Sequence, residues 1–247
     1  RTGVEGSTAK FPKVGKGVAS VRIPQTDVTP LNVDFSQVTA TLTDYNAAEY
    51  SDIFMQQKVN FDERQELVQV VANAIGRRQD QLIIDALEGS STSLTVANSI
   101  GGANTNLNVA KLREAKKLLD GKNVPPQDRH IVLHANNLAA LLGETEATST
   151  DFNSVKALVS GEINTYLGFN FHVLGDRSEG GLTIDGSSDR TVMAFHKDAI
   201  GYAEGMAPKT EINYVPEKTS FLVNAMFSAG AVAIDAEGIV DITCRES

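Results

Sequence analysis

The stretch Asn60–Gly89, NFDERQELVQVVANAIGRRQDQLIIDALEG, is the longest segment of the chain with an uninterrupted helical pattern. Asn60 is placed to cap the helix, and Glu63, three residues later, can return a hydrogen bond as in a capping box. Gly89 is a natural stop in the left-handed conformation. The sequence therefore predicts a helix of about 42 Å, because each helical residue adds about 1.5 Å.

The predicted helix has two unlike faces. Its apolar side chains fall within an arc roughly 100° wide, and they are Leu67, Val68, Val71, Ile75, Leu82 and Ala86. We expect this face to pack on the closing strands near Phe221–Val232. A helix this long exceeds the width of a small core, so one end should reach past the domain that buries the other. Gly76 costs about 1 kcal/mol relative to Ala and marks a possible bend or a close neighbour.

Composition places the chain among ordinary globular proteins. It has 247 residues, of which 41% are hydrophobic and 21% charged. No apolar run approaches the roughly 20 residues that span a bilayer, and the N-terminus lacks the apolar region of a signal peptide. The single cysteine, Cys244, excludes an intrachain disulfide and a cysteine-rich zinc site. We expect no membrane contact.

Charge is unevenly distributed along the chain. The net charge is −9, which would repel nucleic acid on average. Residues 1–30 contain five Lys and Arg against two Asp and Glu, a balance of +3, so the remaining residues carry −12. A basic end on an acidic body suggests an arm that lies on acidic surface, its own or a neighbour's, unless it is a solvated tail.

Two alternating segments predict an extended hairpin near the N-terminus. Val18–Ile23 alternates as a strand and ends at Pro24, and Gln37–Tyr45 alternates again after a proline-bounded loop. An isolated two-stranded hairpin is at best marginally stable in water. We therefore expect another subunit to hold it.

The rest of the chain alternates helices and strands and then becomes rich in strands, which predicts the α+β class. Asn108 should cap a helix that ends near Asp120. The other predicted elements are a strand at 129–135, a short helix at 138–142, a short helix at 152–159, a strand at 163–174 broken at Gly168, a strand from Thr191, and long closing strands after 217.

Catalytic and metal-binding patterns are missing from the sequence. His130 and His134 would lie on one face of a strand, about 13 Å apart and too far for one metal ion. No phosphate-binding, nucleophile-elbow or zinc-protease motif occurs. Four loop carboxylates could bind a cation but are better explained by solvation: Asp151, Asp176, Asp185 and Asp189. The sequence predicts no enzyme and no cofactor.

Four phrases, in this order, resemble the major capsid protein of tailed double-stranded DNA bacteriophages, a fold shared with encapsulin shells. They are LTDYNAAEYSDIF (42–54), GEINTYLGFNFHVLGD (161–176), AFHKDAIGYAEG (194–205) and KTSFLVNAMFSAGAVAIDAEGIVDI (218–242). No lysine and asparagine can be assigned to the covalent cross-link of some family members.

The resemblance implies a domain order. It gives an N-terminal arm and extended hairpin loop (1–50), a peripheral domain (51–106) with a spine helix (60–88), an axial domain (107–205), peripheral return strands (206–236) and a closing axial strand (237–247). Its implied function is self-assembly into pentamers and hexamers of an icosahedral capsid around double-stranded DNA, which is contacted non-specifically. Portal and decoration proteins would be further partners, and the shell would assemble in the host bacterial cytoplasm.

Three alternatives compete with this interpretation. An encapsulin compartment would need a cargo groove beside an N-terminal helix, whereas residues 1–20 have no helical pattern. An enzyme is disfavoured by the missing site, and a DNA-binding module by the net charge.

The split in charge leads to one residue-level hypothesis about assembly. We expect the basic arm to lie against the acidic helix start of an adjacent subunit. The predicted contact joins Lys10, Lys13 and Lys16 to Asp62, Glu63 and Glu66.

Overall fold

The structure is a computed structural model that describes residues 1–28, 30–144 and 165–246. It has the predicted α+β architecture, in which three sheets are arranged around one long helix. The helix predicted at 152–159 lies outside the described residues.

Strands and helices follow in a mixed order along the chain. The strands are β1 (Thr8–Val14), β2 (Phe35–Thr41), β3 (Thr43–Asp52), β4 (Thr95–Val96), β5 (Arg129–His134), β6 (Thr165–Tyr166), β7 (Phe169–Leu174), β8 (Asp189–His196), β9 (Ile200–Val215), β10 (Ser220–Ala233) and β11 (Ile239–Arg245). The helices are α1 (Ile53–Gln56), α2 (Glu63–Glu88), α3 (Val109–Gly121) and α4 (Ala135–Leu142), and short 3-10 turns occupy Lys197–Ala199, Pro216–Lys218 and Ala236–Gly238.

The two larger sheets form the body of the protein. The smaller body sheet, β3-β10-β9, is antiparallel and packs one face on α2. Val71 and Ile75 of the helix lie buried against Val223 and Phe227 of β10. The packing of the helix on the closing strands is therefore confirmed. Tyr45 of β3 stacks on Phe227 with ring centroids 5.2 Å apart, which adds an aromatic pair to this core.

The larger body sheet has six strands in the order β4-β11-β8-β5-β7-β6. One face carries α3 and α4 over the largest apolar core, which includes Leu112 and Phe169. The other face packs on the last turns of α2 through Ile84 and Leu87. The long helix therefore bridges both body sheets, because its first half covers one sheet and its last turns cover the other. Thr95–Val96, within the range expected for the peripheral domain, pairs with β11 of this larger sheet.

The ends of the long helix differ from the sequence prediction. Asp62, not Asn60, is the N-cap, and its carboxylate accepts from the backbone N–H groups of Arg64 and Gln65. Aspartate is as good a cap as asparagine, and its charge also suits the positive end of the helix dipole. Gly89 does end the helix, but its φ of −75° is not left-handed. Its N–H donates a hydrogen bond to the backbone carbonyl of Asp85, as in an ordinary helical turn.

Of the two features considered for Gly76, a bend or a close neighbour, the close neighbour is not found among the described residues. The helix is continuous through this residue, and no atom outside the helix backbone lies within 4 Å of where a Cβ would be. Gly76 is therefore not required by a close neighbour.

One strand prediction was wrong, and one strand was largely missed. Val18–Ile23 forms no strand, and β1 lies earlier, at Thr8–Val14, where Ala9 and Phe11 alternate inward against the body. Packing on the body therefore decided the strand position. Most of β9, at Ile200–Val215, was missed because Pro208 and several charged residues weaken its strand pattern. β9 is an edge strand, and an edge strand accommodates both proline and charged residues.

Other predicted features are confirmed. Asn108 caps α3 by accepting the N–H of Lys111 at 2.8 Å. The strand at 163–174 is interrupted at Leu167 and Gly168, both with positive φ, which makes a tight turn between β6 and β7. The short helix predicted at 138–142 is present as α4 but begins earlier, at Ala135, where His134 is the N-cap and Asn137 completes a capping box.

Candidate assembly surface

The N-terminal hairpin consists of β1, β2 and the connection 15–34, and only its base is fixed to the body. The two strands pair antiparallel from Thr8↔Thr41 to Val14↔Phe35. Ala9, Phe11 and Ala40 are buried there against Ala203 of β9. The base is thus a separate two-stranded sheet that packs on the smaller body sheet.

Glycine allows the hairpin base to lie this close to the body. A Cβ on Gly201 would lie 2.9 Å from three ring atoms of Phe11. A Cβ on Gly230 would overlap the carbonyl group of Thr41. Any larger side chain at either position would push the base outward.

The first residues of the chain strengthen this attachment. The N–H of Val4 donates to the carbonyl of Glu204 at 3.0 Å, and the N–H of Glu204 donates to the carbonyl of Arg1 at 2.8 Å. The Arg1 guanidinium lies 5.3 Å from the centre of the Phe11 ring. The N-terminal segment therefore adds backbone bonds beside β9 and covers Phe11.

Among the described residues of the hairpin tip, 18–28 and 30–31, none makes a hydrogen bond or ion pair with the body. Five large apolar side chains are between 57% and 92% exposed there: Val18, Val21, Ile23, Val28 and Leu31. Several large apolar side chains exposed on one segment are typical of interaction sites in soluble proteins. The tip is the main candidate for a contact with another molecule.

A cluster of charged residues, the clasp, fixes the direction of the hairpin. It consists of Lys13, Lys16, Lys122, Asp235 and Glu237. Lys13 Nζ lies 3.1 Å from Asp235 Oδ1, and Glu237 accepts from Lys16 at 2.7 Å and from Lys122 at 3.1 Å. The clasp joins the hairpin to the end of α3 and to the turn before β11. It is exposed, so its energetic effect is modest and weakened by salt.

The clasp also shifts two pKa values. Hydrogen bonds from Lys16 and then Lys122 lower the pKa of Glu237 to about 2. The hydrogen bond to Glu237 raises the pKa of Lys16. Both shifts favour the charged pair at neutral pH.

The clasp partners of Lys13 and Lys16 belong to the same chain. The sequence indicated an acidic surface for the arm but did not identify Asp235 and Glu237, because nothing in a one-dimensional pattern relates residue 16 to residue 237. Lys10 is exposed, and no residue that the structure describes forms an ion pair with its ammonium group.

The acidic helix start lies far from these lysines within one chain. Asp62 and Glu66 are exposed, and Glu63 accepts a hydrogen bond from Ser51 at 3.4 Å. Lys13 lies beside the last turn of α2, near Ala86. Since a 26-residue helix is about 39 Å long, the predicted contact could form only between two subunits. One chain does not test it, and it stays a prediction.

The connection between β7 and β8, residues 175–188, is attached to the long helix. Gln81 and Gly181 exchange two hydrogen bonds, from the Gly181 N–H at 2.8 Å and to its carbonyl at 3.2 Å. Arg77 pairs with Glu179 at 2.9 Å, and Arg177 pairs with Asp80 at 3.2 Å. The sequence contained no signal for this pairing across about 100 residues.

Catalytic or metal-binding clusters do not emerge from the described ranges. Among those residues, no group of three or more His, Cys, Asp and Glu could hold a metal ion. Asp189 accepts hydrogen bonds from Arg245 at 2.5 and 3.0 Å. Cys244 is fully buried, and burial raises its pKa to about 12, as expected for a packing residue. One histidine pair, His130 with His172, was missed, because only His130 and His134 are close in sequence.

Within residues 1–28, 30–144 and 165–246, no helix has the length and apolar character that crossing a membrane requires. The protein therefore combines a two-sheet body, a bridging helix and an anchored hairpin with an apolar tip. These features define a structural protein with the capsid fold of tailed phages. Residues 1–246 match the family described as phage capsid protein, and the chain belongs to that family.

Solved phage capsids have the same fold across nearly the whole chain. The capsid structure of cyanophage P-SCSP1u is 16% identical with a TM-score of 0.73, covering 100% of this chain and 86% of that one. The capsid of Ralstonia phage GP4 is 11% identical, with a TM-score of 0.75 and coverages of 99% and 85%. A structure from Mycobacterium phage Che8 is 19% identical, with a TM-score of 0.72 and coverages of 96% and 85%. No curated protein matches the chain.

Proposed function

We propose that the protein is the shell-forming subunit of an icosahedral phage capsid, assembling into pentamers and hexamers around double-stranded DNA. The observation that carries this proposal is the hairpin tip, which exposes apolar residues on a base that is firmly packed. Membership of the phage capsid family supports it independently. Assembly would cover the tip and recover the hydrophobic stabilisation that one chain forgoes.

Within this function, we assign roles to the two halves of the body. The smaller body sheet with most of α2 would form the peripheral domain, and the larger body sheet the axial domain. Supporting this, α2 packs on both sheets and so can act as the rib that joins them. The net charge of −9 suits an inner wall that contacts DNA only loosely and without sequence preference.

Assembly in the host bacterial cytoplasm and contacts with portal and decoration proteins belong to the same proposal. An encapsulin-type compartment is the competing function. It is disfavoured because residues 1–20 contain a strand and no helix that could border a cargo groove.

Sedimentation velocity and electron microscopy of the purified chain test the proposal directly. Capsomers or closed particles are the expected result, and a stable monomer at high concentration would contradict it. A matched variant in which residues 18–31 are replaced by a short Gly-Ser turn should keep the fold and lose the particles. Phage-type function further predicts particles without an enzyme cargo, whereas a co-purifying enzyme would favour the encapsulin alternative.

We also propose that the basic arm contacts the acidic helix start of a neighbouring subunit. Lys10→Glu tests this contact most cleanly, because Lys10 has no ion-pair partner among the described residues of its own chain. We expect a lower particle yield and a stronger dependence on salt, partly restored by Glu66→Lys. Unchanged yield in both Lys10→Glu and the triple reversal of Lys10, Lys13 and Lys16 would exclude the contact.

A further inference from the structure

Two histidines on neighbouring strands of the larger body sheet face each other. Nδ1 of His130 on β5 lies 2.9 Å from Nε2 of His172 on β7. These strands are parallel, with His130 opposite Asn170 and Val132 opposite His172. The two imidazoles are therefore diagonal neighbours on one face of the sheet, which is the face toward α2.

The geometry directs one nitrogen of each ring at a shared point. In the neutral pair one nitrogen carries the proton and the other accepts it. A metal ion that replaced this proton would be bound by both nitrogens. Two nitrogens about 2.0 Å from an ion and at right angles, as in the tetragonal geometry of Cu²⁺, are roughly 2.8 Å apart, so a small rotation of the rings is sufficient.

The surroundings restrict the orientation of the His130 ring. The ring of His130 stacks on Phe195 with centroids 5.7 Å apart, which limits its rotation.

Solvent and ions can reach the pair. His172 lines an open groove between the sheet and α2, together with Ile84, Leu174 and Arg177. Neither imidazole is fully buried.

We propose that His130 and His172 form a two-imidazole site for a divalent transition-metal ion, with Cu²⁺ bound more tightly than Zn²⁺. No third His, Cys, Asp or Glu completes the site among the residues that the structure describes. Water therefore fills the remaining coordination positions. The site is independent of the proposed capsid function and does not rest on it.

Electron paramagnetic resonance during a Cu²⁺ titration of the full chain tests the site. The expected spectrum has one Cu²⁺ per chain coupled to two nitrogens, and Zn²⁺ should compete weakly. His172→Ala should remove one nitrogen coupling and weaken binding at least about tenfold, since even changes beside a metal ligand cost 10–100-fold. Absence of a two-nitrogen signal in the unmodified chain would overturn the proposal.

Two further variants separate binding from folding. His172→Gln keeps a hydrogen-bonding group beside His130 but supplies a poor ligand for copper, so its thermal unfolding should match the unmodified chain while copper binding falls. Asn170→Ala, two residues along the same strand, should leave binding unchanged. Copper binding that survives in both His172 variants would place the ion elsewhere and overturn the proposal.

Discussion

The larger body sheet and the hairpin differ in how far their apolar residues are buried. Phe169 in the sheet is fully buried, whereas Phe35 at the end of β2 is 80% exposed. The sheet is stabilised by its own chain, between α3 and α4 on one side and the end of α2 on the other. The hairpin has a fixed base and an uncovered tip, so its exposed apolar residues contribute to stability only when another molecule covers them.

Replacing one phenylalanine by alanine in each region should give the largest difference in the free energy of unfolding. Phe169→Ala removes a buried ring and should lower the free energy of unfolding by about 3–5 kcal/mol. Phe35→Ala should change it by less than about 0.5 kcal/mol, because the ring is exposed. Urea denaturation of unassembled protein measures both values. Equal losses would mean that the hairpin is part of the core.

Replacing two glycines by alanine tests how tightly the hairpin base packs on the body. Gly201→Ala places a Cβ against the Phe11 ring and should lower the free energy of unfolding by about 1–3 kcal/mol. Gly76→Ala has free space in the helix and should raise stability by about 1 kcal/mol. Thermal unfolding of both variants gives the sign. Stabilisation by Gly201→Ala would show that the base can shift without cost.

A half-buried carboxyl of the larger body sheet, Asp241 near Glu88 of α2, should be sensitive to pH. Burial, and then Glu88, raise the pKa of Asp241 to about 6, and its Oδ1 has no hydrogen-bond partner among the described residues. Because the raised pKa disfavours the ionised form, the chain loses stability as pH rises from about 4 through 6. Asp241→Asn should therefore stabilise by about 1 kcal/mol at pH 8, after allowance for solvent screening, and change little at pH 4.

A second carboxylate, Asp189, distinguishes the effect of burial at Asp241 from a general effect of removing a negative charge. The Arg245 hydrogen bond lowers the pKa of Asp189, so Asp189→Asn should destabilise at pH 8. Denaturation midpoints at the two pH values measure both variants. The same sign for both would contradict the assignment.

The clasp should have the smallest effect on stability and a clear effect on the hairpin. Glu237→Gln weakens the contacts with Lys16 and Lys122, so hydrogen exchange in residues 15–34 should become faster. The lowered pKa of Glu237 means that the clasp is intact above about pH 4.5 and opens as pH falls toward about 2. Glu114→Gln removes another exposed lysine pair, on α3, and should leave this exchange unchanged.

Sequence patterns predicted the regular body better than the hairpin. The long helix, the cap at Asn108 and the turn at Gly168 follow from local chemistry, and all three are present. The strand expected at Val18–Ile23 is absent, because packing of Phe11 on Gly201 decided where β1 lies. Such a contact joins residues far apart in the chain, and periodicity carries no record of it.

The same limit applies to the candidate surface. Composition indicated a basic arm, and the lysines of this arm were predicted to contact acidic residues. Their partners in the clasp, and the pairing of His130 with His172, depend on how distant strands are placed. A single sequence contains the charges of these residues but not their distances.

Thiol labelling at the hairpin tip tests the central claim most directly. Val21→Cys adds an exposed thiol, and the native Cys244 is fully buried, so the added group reports alone. The account predicts rapid labelling of unassembled chains and strong protection in assembled particles, while Lys117→Cys on the exposed face of α3 controls for access of the reagent. Equal labelling of Val21→Cys in both states would contradict the claim that a neighbouring subunit covers the tip.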